Sequence, residues 1–156
     1  MGLALCGDTA QAEKLAVEGS KRFPNGTLWN AVQLPEIRAA IEFRLDQPAK
    51  AVELLAPAVP FERAYTAVPY LRGRALLRLQ KGAEAATEFQ KILDHKGANW
   101  GIYHSLSYLG LAQASVISSE RAKAGKAFED FFAVWKGADS DISILKEAKA
   151  EYGKLN

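Results

Sequence analysis

Pro48-Ala49-Lys50-Ala51-Val52-Glu53-Leu54 and Gly82-Ala83-Glu84-Ala85-Ala86-Thr87-Glu88 are the two stretches on which the fold turns. Each carries an Ala-x-Ala unit and continues as an amphipathic run. Two further segments have the same form, Thr9-Ala10-Gln11-Ala12-Glu13-Lys14-Leu15 and Arg121-Ala122-Lys123-Ala124-Gly125-Lys126-Ala127. The second alanines, Ala12, Ala51, Ala85 and Ala124, recur at intervals of roughly 34–39 residues, the length of a two-helix unit. A period in this range marks stacked units, each of which buries its apolar face only against a neighbour. Alanine has a steric reason to recur there, because two helices that cross closely leave no room for a larger side chain. One turn further along the same face come Ala16, Leu55, Phe89 and Phe128, placed to fill the space between helices.

Each of the later Ala-x-Ala helices is preceded by another. Ile37, Ala40, Ile41 and Arg44 follow helical spacing, as do Tyr70, Gly73, Arg74 and Leu77, and Leu106, Leu109, Gln113 and Val116. The spacing predicts helices over 8–22, 33–45, 48–57, 67–80, 83–95, 101–117, 120–136 and 141–153. Pro57 and Pro60 should end the third helix near Ala56, and Gly97 and Gly137 mark later stops. No segment alternates with period two, so no sheet is expected. The last helix has Ile142, Leu145, Ala148 and Tyr152 on one stripe and lysines elsewhere, the pattern of a solvating cap. Before Gly7 there is room for little more than a turn of helix. The first unit is therefore read as truncated, and residues 1–156 as a single domain excised from a longer protein.

Composition narrows the function classes. The 156 residues carry 20 basic and 18 acidic side chains, a net charge of +2, with the two signs interspersed. That balance gives no support to nucleic-acid binding. Cys6 is the only cysteine, so no intramolecular disulfide can form. No apolar run approaches the roughly 20 residues needed to span a bilayer, so no membrane insertion of this domain is expected. The compartment is not legible.

The period and the small-residue positions resemble tetratricopeptide repeats across almost the whole chain. The resemblance implies an all-α, right-handed α-solenoid of antiparallel helical hairpins, about three and a half repeats, with 141–153 as C-terminal capping helix. A narrower likeness rests on Leu34-Pro35-Glu36-Ile37-Arg38-Ala39-Ala40-Ile41, Arg72-Gly73-Arg74-Ala75 and Glu88-Phe89-Gln90-Lys91-Ile92-Leu93-Asp94-His95-Lys96-Gly97. Phe131-Phe132-Ala133-Val134-Trp135-Lys136-Gly137-Ala138-Asp139 and Ile144-Leu145-Lys146-Glu147-Ala148-Lys149-Ala150-Glu151-Tyr152 complete it. This series is similar to the C-terminal repeat region of large bacterial multidomain serine/threonine protein kinases. It implies a sensory or partner-binding signalling module. The kinase motifs themselves do not occur in the sequence, and Arg38 stands where the repeat expects leucine.

No nucleophile, base or metal set converges, so no enzyme, cofactor or metal site is expected. His95 and His104 lack companion ligands, and Cys6 has no neighbouring histidine. Asp139 and Asp141 sit at a helix start, and Asp141 is read as an N-cap. Trp100, Tyr103, Tyr108 and Trp29 read as core aromatics of the two insertions. The binding candidates are Tyr70, Arg74 and Arg78, at successive one-turn steps on one stripe, with Arg72 counted in the same basic face. The resemblance places such first helices along a concave groove. An arginine–tyrosine stripe suits a carboxylate, so the expected partner is a protein or peptide, and an acidic one fits best. Glu36 and Arg44 line the neighbouring part. The alternative is a module that self-associates as a scaffold, which would make it a homo-oligomer.

Overall fold

The computed structural model describes residues 1–95 and 101–155, so Gly97 and Trp100 lie outside the described residues. The protein is all-helical, with no strand among the described residues. Nine α-helices follow one another in this part of the chain: α1 (Gly2–Cys6), α2 (Thr9–Arg22), α3 (Leu34–Arg44), α4 (Pro48–Leu54), α5 (Ala67–Arg78), α6 (Gly82–Asp94), α7 (Ile102–Ile117), α8 (Arg121–Val134) and α9 (Ser143–Gly153). None of the described helices is long and apolar enough to cross a membrane.

Four turns of one geometry set the spacing. Gly7 (φ 103°), Asp46 (φ 58°), Gln80 (φ 59°) and Ser119 (φ 58°) are the left-handed residues of the described chain. They follow α1, α3, α5 and α7. At each, the next residue's N–H reaches back to a carbonyl of the preceding helix: Asp8 to Leu3 at 3.0 Å, Gln47 to Glu42 at 2.8 Å, Lys81 to Leu76 at 3.0 Å and Glu120 to Ser115 at 2.8 Å. This is the bond that closes a helix C-terminus through a left-handed residue. The turns repeat at the intervals of the alanines, so Ala12, Ala51, Ala85 and Ala124 each follow their own turn at the same remove.

Packing follows the same order. Each helix from α1 to α9 touches its successor, and α1, α3, α5 and α7 also touch one another in turn. Ala12, Ala51, Ala85 and Ala124 are all buried at the crossings. Phe89 is fully buried, and Gly73 of α5 and Gly110 of α7 both press on its ring. A Cβ at either glycine would come within 2.8 Å of that ring. Leu145 and Ala148 of α9 close the far end over Phe128 and Phe131, with the Tyr152 ring 5.7 Å from those of Phe128 and Phe132.

The expected helices all form, with shifted ends and three additions. Residues before Gly7 make the short α1, packed on α2 and α3. A π-helical turn, Trp29–Gln33, leads straight into α3. Trp29 is half-buried there; its ring lies over Gly19, and its Nε1–H donates to Ser20 Oγ at 3.2 Å. After α4 the chain tightens into a 3-10 helix, Ala56–Phe61, which carries Pro57 and Pro60 where an α-helix could not continue. Asp141 is not a cap: Ile142 holds the N-cap position of α9, with no side-chain bond.

Candidate functional site

The expected stripe on α5 divides. Tyr70 is buried, its ring 4.9 Å from Tyr103 of α7 and 6.0 Å from Phe89. Arg74 is half-buried and donates from Nη1 to the Tyr70 hydroxyl at 3.2 Å. Its guanidinium lies 5.8 Å from the centre of the Phe43 ring, and among the described residues it meets no carboxylate in an ion pair. Arg78 is tied to the structure. It caps the end of α3 by donating to the Phe43 carbonyl, stacks 3.7 Å over the Phe43 ring and pairs with Asp46 at 3.5 Å.

Arg72 does not belong to that face. Two residues turn a helix through about 200°, so Arg72 points away from Arg74. It is buried in a closed ring of charges. Its Nη2 donates to Glu62 and, at 2.6 Å, to Glu88, while Lys91 Nζ bridges the same two acids at 2.9 and 3.1 Å. Burial would raise the Glu62 carboxyl, but hydrogen bonds from Lys91 and Arg72 outweigh it and hold the group below its ordinary value. The ring ties the segment before α5 to α6 and leaves Arg72 nothing to offer a ligand.

Around Arg74 a small cleft of about 70 Å³ opens between α5, α7 and α9. Gln113 of α7 and Glu147 and Glu151 of α9 share its walls with Tyr70 and Arg74. Gln113 Nε2 donates to both Glu151 oxygens at 3.1 and 3.0 Å, fixing α9 as one wall. These polar residues did not emerge as site candidates from the sequence. A signal was present, since Gln113 lies one repeat beyond Arg74, at the same interval that separates Ala85 from Ala124.

Glu36 stands on α3, one repeat before Tyr70 and at the interval that separates Ala51 from Ala85, hence at the matching place on the neighbouring helix. It is half-buried, and its Oε1 is shut off from solvent without a hydrogen-bond partner. Burial pushes its carboxyl up to about 7, with the Met1 amino group acting in the opposite direction. Burial also raises the Tyr103 phenol, helped by the nearby Glu36 and Tyr70. Arg44 is exposed at the end of α3, its guanidinium beside Gly7 rather than in the cleft.

A larger opening, about 1200 Å³, lies between α6 and α8 above α7. Several of its rim charges are matched locally: Lys123 with Glu120 at 2.7 Å, Lys126 with Asp130 at 2.5 Å, and Asp94 with Gln90 at 2.7 Å. Volume alone recommends it, whereas unmet charge recommends the cleft at Arg74, which is the better candidate. Among the described residues no group of three His, Cys, Asp or Glu side chains could hold a metal ion. Comparison with family models, curated proteins and solved structures returns no match to this chain.

Proposed function

We propose that the chain is a right-handed stack of tetratricopeptide-type hairpins closed by α9. On this reading it works without catalysis, as the interaction module of a signalling protein. The face formed by α3, α5 and α7 is a groove that holds a protein or peptide segment. The recurrence of one turn and one buried alanine in four successive helix pairs supports the architecture. The likeness of the quoted segments to kinase-attached repeats supports the signalling context.

One observation carries the binding reading. Arg74 is half-buried on the groove side, is oriented by Tyr70, and has no carboxylate of its own. A half-buried guanidinium that joins no ion pair can receive an incoming carboxylate, in competition with Glu147 and Glu151 of the same cleft. The test is a comparison of proteins retained from a cell extract by immobilised wild type and by Arg74→Ala, at low salt where charge effects are largest. A specific partner should weaken by about 1.5–3 kcal/mol, the scale of a hydrogen bond to a charged group. Identical retention by both forms would remove the groove from consideration.

The self-association reading draws on the exposed Leu3 and Leu5 of α1 and Leu15 and Val17 of α2. Sedimentation at increasing concentration separates the two, because a groove binder alone stays monomeric throughout.

A further inference from the structure

We propose that the groove selects a peptide segment carrying both signs of charge, with a carboxylate for Arg74 and a cationic nitrogen for Glu36. This rests on the groove reading above and specifies what occupies it. The two residues stand on contacting helices, α3 and α5. They are of opposite sign, yet they do not pair with each other, and neither joins any ion pair of the described residues. Arg78, Arg72 and Arg38, the other arginines of these two helices apart from exposed Arg44, are all matched internally, to Asp46, to Glu62 and Glu88, and to Glu13. With Glu42 paired to Lys50, the charged groups of these two helices outside any ion pair of the described residues are Glu36, Arg74 and exposed Arg44.

The surroundings of Glu36 suit a cation in particular. Its Oε1 is enclosed and accepts no hydrogen bond, so a donor is missing where one would be worth most. Tyr103 lies near enough to feel its charge, with the Tyr70 ring 4.9 Å from that of Tyr103, and aromatic rings attract ammonium and guanidinium groups. The Tyr70 hydroxyl is already occupied by Arg74. The face thus presents a fixed cation on α5 and, on the contacting α3, a carboxyl that a bound cation would hold in its charged form. An occupant with acid alone would leave Glu36 unmatched, and one with base alone would leave Arg74 so.

The cationic nitrogen could belong to a lysine or arginine side chain or to a free peptide amino terminus, and the experiment separates these sources. Two libraries of random dodecapeptides, one with acetylated and one with free amino termini, are selected on wild type, Glu36→Gln and Arg74→Gln. Circular dichroism first confirms that both variants are folded. Wild type is expected to enrich peptides in which acidic and basic residues occur together. Glu36→Gln should keep the acidic preference and lose the basic one by about tenfold or more, the scale of one charged hydrogen bond. If only the free-terminus library shows that loss, the nitrogen is terminal; if both do, it is a side chain. A Glu36→Gln selection indistinguishable from wild type, while Arg74→Gln loses its acids, overturns this inference and leaves the groove reading standing. Arg74→Gln selecting as wild type does overturns both.

Discussion

Gly110→Ala tests the packing on which the α5–α6–α7 arrangement depends. A methyl group there would sit 2.5 Å from Phe89 Cε1 and Cζ and 2.7 Å from Cδ1. The ring has little room to retreat towards α5, where it already packs against the bare backbone of Gly73. Phe89 is fully buried, so relief must come from separating helices. Overpacking of this kind costs about 1–3 kcal/mol. Alanine in a helix interior regains about 1 kcal/mol over glycine. The net expectation is destabilisation by about 0–2 kcal/mol. Urea unfolding of the single variant, of Phe89→Leu and of the double variant closes a cycle. Leucine removes the ring edge that the methyl strikes, so the double variant should recover about 1–2 kcal/mol relative to additivity. A Gly110→Ala protein more stable than wild type, with additive effects in the cycle, would refute the wedge.

Three further outcomes are expected. Gln80→Gly should stabilise by about 0.5–1 kcal/mol in urea unfolding, since the left-handed φ of 59° burdens a side chain and not glycine; a loss of stability would mean that the Gln80 side chain matters more than its backbone. Removing residues 141–156 should uncover Phe128, Phe131 and Phe132 and lower solubility, and a truncated chain that remains monomeric and equally stable would show that α9 is dispensable. Glu36 holds its proton more tightly in the folded state than in the unfolded one, so its contribution is present at low pH, below about 4.5, and is lost as pH rises to about 7. Because the group is half-buried, the effect after screening is about 1–2 kcal/mol; wild type should lose that much more stability than Glu36→Gln between about pH 5 and pH 8, and parallel profiles would contradict it.

What could be read in the sequence was what periodicity controls. Small residues at close crossings recur for a steric reason, and so Ala51, Ala85 and Ala124 located their helices, and helix ends such as those of Ala67–Arg78 fell close to the expected 67–80. Short features that depend on a single contact were not legible. The π turn at Trp29–Gln33 accompanies an indole that settles over Gly19, and the single turn of α1 is too short to display a period. The site was half legible for a similar reason. One-turn spacing put Tyr70 and Arg74 together, but spacing says nothing of what meets them. Arg78 turned out to answer Asp46 and the end of α3, and Arg72 to answer acids supplied by the segment before α5 and by α6. The enclosed oxygen of Glu36 arises from packing between elements, which no pattern within α3 could reveal.

The shared path of the backbone at Gly7, Asp46, Gln80 and Ser119 makes the chain divisible. A segment cut just after one such turn and ending on the next, such as 47–80, is bounded by the same local turn geometry at both ends. A tandem copy of that segment would keep the α5–α6 contact at its second joint and, at its first, would set a second α4 in the place that α6 now takes on α5. Length would then grow by whole units. Each added unit would also carry a second Tyr70–Arg74 pair one helix further along the same face. On the binding reading proposed above, a ligand with regularly spaced acids would be gripped at two points, its second contact forming at the high local concentration set by the first.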